Sequence, residues 1–161
     1  MTGQPYEAKK LTAIIRLQML LPSISRFHFT ARAGAKSQTG WNGIGEGRVR
    51  ATRSTGGVRF FETGSFTLQG QTQPVPMRNV YRWDGFDDRI ALLHERRGPE
   101  SAVALFDLVA DGVDTLVSAS VHQCAADAYS ANLTLREDGF DLEWRILGPR
   151  KDEHILYHYR T

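Results

Sequence analysis

Ile24-Ser25-Arg26-Phe27-His28-Phe29-Thr30-Ala31-Arg32-Ala33 is where the chain changes its periodicity. Phe27 and Phe29 alternate with Arg26, His28 and Thr30, so one face of the segment is apolar and the other polar, the period of a half-buried strand and not of a helix. Similar segments follow at 40–53, 57–68, 76–84, 88–95, 102–109, 113–121, 127–136, 139–147 and 153–160. Between them stand turn signals: Gly34, Gly56-Gly57, Gly70 to Pro76, Gly85, Gly98-Pro99, Asp111-Gly112, Asp138-Gly139 and Gly148-Pro149. Asp111-Gly112 and Asp138-Gly139 are the sharpest hairpin signals, because a type I′ turn needs positive φ at both central positions. Residues 69–76 are expected to form a long flexible loop. Short strands at even spacing joined by tight turns make an antiparallel meander, and a meander of this length closes so that no edge is left unpaired. The fold class that follows is all-β, a closed antiparallel up-and-down barrel of about ten strands over residues 24–160.

Upstream, Lys9 and Lys10 precede the apolar stretch Leu11 to Leu21 in the order of a secretory signal. Arg16 and Gln18 interrupt that stretch, and Leu21-Pro22-Ser23-Ile24-Ser25 lacks a small-x-small cleavage pattern. The segment reads instead as a short helix over 6–20, with Leu11, Ile14, Ile15 and Leu21 as its apolar face, Lys10 and Arg16 on its wet side, and Pro22 as its stop. It is expected to pack over an open end of the barrel, within one domain spanning 1–161.

Composition narrows the function classes. The chain carries 20 Lys+Arg against 18 Asp+Glu, a net charge of +2 that offers no electrostatic footprint for nucleic acid. Its one cysteine, Cys124, excludes a disulfide-stapled scaffold. No apolar run approaches the roughly 18–20 residues that span a bilayer, so neither nucleic-acid binding nor membrane insertion is expected. With no signal, anchor or disulfide pattern in the sequence, the expected compartment is the cytoplasm. Nothing in the residues sets an oligomeric state.

Three stretches carry a family likeness. Arg78-Asn79-Val80-Tyr81-Arg82-Trp83, then His122-Gln123-Cys124-Ala125-Ala126-Asp127-Ala128-Tyr129, then Trp144-Arg145-Ile146-Leu147-Gly148-Pro149-Arg150-Lys151-Asp152 resemble, in that order, the motifs of the uncharacterised DUF6314 family, over about residues 24–160. The resemblance implies a calycin-like, lipocalin-like barrel and supplies no reaction. One departure is visible: where the family carries Asp-Gly-Arg-x-Phe-His in its middle hairpin, this chain has Gly98-Pro99-Glu100-Ser101-Ala102-Val103. A looser resemblance, through Trp41-x-Gly43-x-Gly45-x-Gly47 and the His- and Tyr-rich final strand, is to nitrobindin-type haem-binding barrels. If Ile155, Tyr157 and Tyr159 face inward, His154 and His158 face solvent and cannot reach an interior iron.

A barrel of this size is either filled with side chains or holds one ligand. Gly43, Gly45 and Gly47 share one face of the second strand, which calls for strong curvature, a close approach or open volume. The leading expectation is a non-catalytic barrel around one small hydrophobic or amphipathic ligand. Trp83, Trp144 and Tyr129 would be its walls, and His122, with Arg150 in the last turn, its orienting polar groups. His122 and Cys124 lie two apart on one strand face, roughly 6–7 Å, too far for a thiol–imidazole hydrogen bond. Cys124 is therefore a polar ligand contact or a buried small residue. The alternatives are an enzyme using His122 as acid or base, a haem-binding barrel, and a filled barrel with a structural role and no cavity of about 300 Å³ or more. No cofactor and no metal site is assigned, since no zinc-type pairing of His and Cys is visible. Arg82 and Arg145 are expected to face water, and Glu95-Arg96-Arg97 to form a solvated hairpin end.

Overall fold

The computed structural model describes the backbone of residues 5–120, 122–124 and 126–161 and the side chains of residues 12–120 and 126–161. Helix α1 (Pro5–Leu20) runs into a 3-10 turn (Leu21–Ser23). The strands are β1 (Arg26–Ala33), β2 (Gly43–Ser54), β3 (Gly57–Leu68), β4 (Val75–Gly85), β5 (Ile90–His94), β6 (Val103–Ala110), β7 (Thr115–Ser118), β8 (His122–Cys124), β9 (Asp127–Arg136), β10 (Gly139–Leu147) and β11 (Asp152–Arg160). Ten of these close an antiparallel ring in chain order, with β8 outside it and β11 pairing back onto β1 from Arg26↔Arg160 to Ala33↔Glu153. The closed barrel is thus present with the expected number of staves.

The segment expected as a single strand over 113–121 is two. β7 pairs with β9 at Asn132 to Thr134, and β8 pairs with the start of β9 at Asp127 to Tyr129. The break falls where the Ser118 hydroxyl, not a strand carbonyl, accepts the Ala131 N–H at 3.1 Å. Two turns also differ from expectation. Between the paired residues Ala110 and Leu116 lies a five-residue loop closed by Asp111 N–H donating to the Thr115 carbonyl at 3.1 Å. Arg16 of α1 holds that loop, donating to the Val113 carbonyl at 3.1 Å and to Asp114 at 2.5 Å. In the other hairpin Arg136 pairs with Gly139, so Glu137 and Asp138 make the turn. Gly139 is needed one place later, where a Cβ would sit 1.9 Å from the Tyr159 carbonyl oxygen.

Strand alternation places Phe27, Phe29 and Ala31 of β1, Val58, Phe60, Glu62 and Phe66 of β3, Tyr81 and Trp83 of β4, and Tyr157 and Tyr159 of β11 in the interior. The outer faces carry the charges. His154 meets Glu143 at 2.5 Å, while Asp141 accepts from His158, Arg136 and Arg160 at 2.7–2.9 Å. As expected from the pattern of β11, His154 and His158 lie on the outer face.

Helix α1 stoppers the end of the barrel where β1 begins. Ala13, Ile14, Leu17 and Leu21 are buried there, whereas Ile15 is 52% exposed. That corrects the apolar face read from sequence: Ile14 and Leu21 are joined by Ala13 and Leu17, not by Ile15, while the side chains of Lys10 and Leu11 lie outside the described residues. Burying each large aliphatic side chain is worth about 1.5–3 kcal/mol, so packing, more than helix propensity, fixes α1 in place. Behind it Phe60, Trp83, Phe140 and Tyr159 fill the lumen with ring centroids 5.0–5.5 Å apart for Phe60–Trp83, Phe60–Tyr159, Trp83–Phe140 and Phe140–Tyr159.

Candidate functional site

The opposite end is hollow. A pocket of about 430 Å³ opens between the β1–β2 and β3–β4 loops. Phe29, Phe66, Trp41 and Trp144 are its aromatic walls, Ala31, Leu68, Met77 and Ile155 its aliphatic ones, and Tyr81 and Tyr157 its inner end. The glycines of β2 explain how this volume stays open. A Cβ on Gly45 would fall 2.1 Å from the Phe29 ring, one on Gly43 2.7 Å from the Phe66 ring, and one on Gly47 2.9 Å from the Phe27 ring. Because β2 presents no side chain there, these rings fold against its backbone instead of projecting across the lumen. Close approach is the answer among the three sequence-level readings, and the space gained lies in the middle of the barrel. The mouth is edged by Trp41, 53% exposed and 5.6 Å from Phe66, and by Val75. The loop bearing Trp41 is fixed by Gln38 N–H to the Arg150 carbonyl at 2.9 Å and by Ala33 N–H to Asn42 Oδ1 at 2.9 Å.

Under the tyrosines lies the group sequence reasoning missed. Glu62 is 1% exposed, and its carboxylate accepts from Tyr157 at 3.3 Å and from Tyr159 at 2.6 Å. Burial pushes its pKa up to about 8, and the two tyrosine hydrogen bonds offset only part of that rise. Burial, and then the Glu62 charge, hold the hydroxyls of Tyr81, Tyr157 and Tyr159 well above the ordinary tyrosine range. The signal was available: Glu62 is in phase with Val58, Phe60 and Phe66 on a strand whose that face is otherwise apolar. His94 stacks on Tyr81 at 4.7 Å and contacts Asn79 Oδ1 at 3.3 Å. Burial, with Arg96 nearby, lowers its pKa.

The sequence-predicted site residues do not converge as one wall. Trp144 lines the pocket, T-shaped to Tyr81 at 6.5 Å. Trp83 sits in the filled half, 1% exposed, and belongs to the core. The indole N–H groups of both tryptophans are buried with no hydrogen-bond partner among the described residues. Tyr129 packs against the core from β9 outside the pocket lining. Arg150 is exposed in the four-residue turn, 148–151, that joins β10 to β11, on the same end as the mouth but not in the lining. The side chains of His122 and Cys124 lie outside the described residues; their backbone forms β8. Arg145 faces outward as expected, but Glu95 is 4% exposed, held by Arg59 at 2.7 Å, so that hairpin end is not fully solvated.

The two longer family motifs meet at this end. Lys151 bonds Asp127 at 3.2 Å, and a Cβ on Gly148 would fall 2.0 Å from an Asp127 carboxylate oxygen, so the Gly-Pro-Arg-Lys-Asp turn is shaped around the Asp-x-Tyr strand. Partial burial works against the Lys151 charge, but the Asp127 hydrogen bond and charge outweigh it and raise its pKa. A larger cleft, about 640 Å³, lies over the outer faces of β1, β10 and β11. Across it Arg145 pairs with Asp152 at 3.4 Å and His154 with Glu143.

A haem in the hollow end fits poorly. None of the described histidines lines the pocket, and His154 and His158 are committed to carboxylates on the outer surface. Among the described residues no group of three or more His, Cys, Asp or Glu is placed to hold a metal ion. No described helix is long and apolar enough to cross a membrane. In comparison with known proteins, the model of a family of unknown function, DUF6314, matches residues 26–161, from the first residue of β1 to the C-terminus, and leaves α1 outside the match. No curated protein and no solved structure matches the chain.

Proposed function

The chain belongs to the DUF6314 family, and we propose that its barrel binds one small, largely apolar ligand in the pocket at the open end. The observation that carries this reading is the contrast between a lumen packed with rings at one end and about 430 Å³ of ring-lined space at the other. That volume lies within the range of small-molecule sites, and the mixture of apolar walls with a few polar groups is their usual composition. A barrel whose only task was structural would gain stability by filling the space, since each missing contact forfeits dispersion energy.

Binding without turnover is the better-supported form. Among the described residues the lining brings one amide, Asn79, one carboxylate, Glu153, and the tyrosines, but no nucleophile beside a base. Native mass spectrometry of the purified protein, compared with the same sample after denaturation, tests the reading. The expected result is a small-molecule mass lost on denaturation, or, for protein stripped of ligand, saturable one-to-one uptake of an apolar fluorescent probe that Ala31→Leu abolishes. Probe uptake indifferent to Ala31→Leu would place binding elsewhere and remove the pocket as the site.

A further inference from the structure

We infer that the pocket is built for an organic cation, a ligand whose apolar body fills the ring-lined lumen and whose substituted ammonium head rests on Tyr81 and Tyr157 above Glu62. The inference rests on the binding reading above and specifies its ligand class.

Charge points the same way at both levels of the pocket. Among the described residues Glu153 is the one charged residue in the lining and no Lys or Arg lines it, and Glu62 lies one hydrogen bond beneath its inner end. An anionic head pushed inward would meet an acid and no counter-ion, and an uncompensated buried charge is costly. The walls favour the same sign. Phe29 lies 4.7 Å from Tyr157 and 5.7 Å from Phe66, so several aromatic π-systems border one another at the lumen, and a ring quadrupole attracts a cation seated over it within about 6 Å. Hydrogen-bond polarity agrees: with the Tyr157 and Tyr159 hydroxyls both donating to an ionised Glu62, and Tyr157 also hydrogen-bonded to Tyr81, neither Tyr157 nor Tyr159 has a proton free for an anionic head.

Protonation links the two states. With burial raising its pKa to about 8, Glu62 is neutral at pH 7 when the pocket is empty. A cation above it favours the carboxylate, so binding exchanges one proton for one ligand charge: the Glu62 carboxyl O–H breaks and its proton leaves to solvent. The groups that face Glu62 are Tyr157 and Tyr159 of β11 and Tyr81 of β4. Behind Tyr81 stands His94 of β5, held neutral, and at the mouth Glu153 is near Lys151, which is bonded to Asp127. None of these supplies a permanent cation beside Glu62.

The test compares three probes of similar shape by titration calorimetry: benzyltrimethylammonium, its uncharged isostere neopentylbenzene, and phenylacetate. Benzyltrimethylammonium is expected to bind tightest, and its affinity to rise about thirtyfold between pH 6.5 and 9 as Glu62 ionises without it. At pH 7 its binding heat should differ between buffers of different ionisation enthalpy by the amount for one released proton. Glu62→Gln should abolish both the pH dependence and the proton release while leaving neopentylbenzene binding in place, which also reports an intact pocket. Glu153→Gln, at the rim, gives a second arm that does not depend on the buried site tolerating change, with roughly a threefold loss for the ammonium probe alone. Phenylacetate binding tightest would overturn the inference while leaving the binding reading standing, and would point to the Trp144 indole N–H as donor. Equal affinity for all three probes would overturn it too, and binding of none would remove both readings.

Discussion

The two halves of this barrel are made from the same residue types and differ in what faces them across the lumen. At the stoppered end Phe60, Trp83, Phe140 and Tyr159 converge in the lumen, Trp83 edge-on to Phe140 and Tyr159 and the remaining pairs tilted, so the space is consumed. At the open end Phe29 and Phe66 have the glycines of β2 as neighbours and lie back against the wall. Aromatic content alone therefore does not decide whether a barrel is solid or hollow. The side chains on the adjacent strand decide whether each ring crosses the lumen or lines it.

That contrast can be broken most forcefully from the filled side. Trp83→Ala should cost about 3–5 kcal/mol, read as a lower midpoint in urea denaturation with an unchanged slope, while Trp144→Ala, in the pocket wall, should cost visibly less. Equal losses would mean that the open end is as tightly packed as the other. The boundary between the halves is titratable. The folded-state pKa of Glu62, about 8, stands above its unfolded value near 4.5, so the folded state holds a proton the unfolded state has released. This group's contribution is intact below about pH 4.5 and declines as pH rises to about 8, by at most about 1.4 kcal/mol per unit. Denaturation midpoints measured across that window should slope down for the native protein and flatten for Glu62→Gln.

Gly45→Leu sharpens the comparison from the hollow side, since its side chain must displace the Phe29 ring into the pocket. A loss of about 1–3 kcal/mol together with loss of probe uptake is expected; retained uptake would show that the ring has another place to go. Ala31→Leu, which adds bulk toward the existing space, should change stability least, within about 1 kcal/mol, and still block the pocket. A large destabilisation there would deny that the space is open.

Much of this was legible in the chain. Period-two alternation located the strands because one face of each is in water and the other in the core, and Pro22 marked the end of α1. The opposite placement of Trp83 and Trp144 was legible too, although they were read together as walls. In an up-and-down ring Trp83 stands near the end of the fourth strand and Trp144 near the end of an oddly placed one, so they point to opposite ends. Glu62 was in phase with Phe60 and Phe66, but an acid on an apolar face finds its explanation only in Tyr157 and Tyr159, some 95 residues away in sequence. The hollow end was the least legible feature, because it arises from β1, β2 and β3 together: rings on two strands and absent side chains on the one between. Asp111-Gly112 misled for a related reason, its loop being set by Arg16 of α1 and not by its own two residues.

The stopper formed by α1 also gives the barrel a sense of direction. With Leu17 and Leu21 sealing one end, the hollow half is a blind tube, and an elongated molecule can enter it only lengthwise and must back out along the same path past Trp41. Whichever terminus leads comes to rest on Tyr81 and Tyr157, and whichever trails is left at the rim. Two isomers with the same groups in reverse order are then distinguishable guests, and a guest longer than the tube presents its trailing terminus to whatever approaches the mouth.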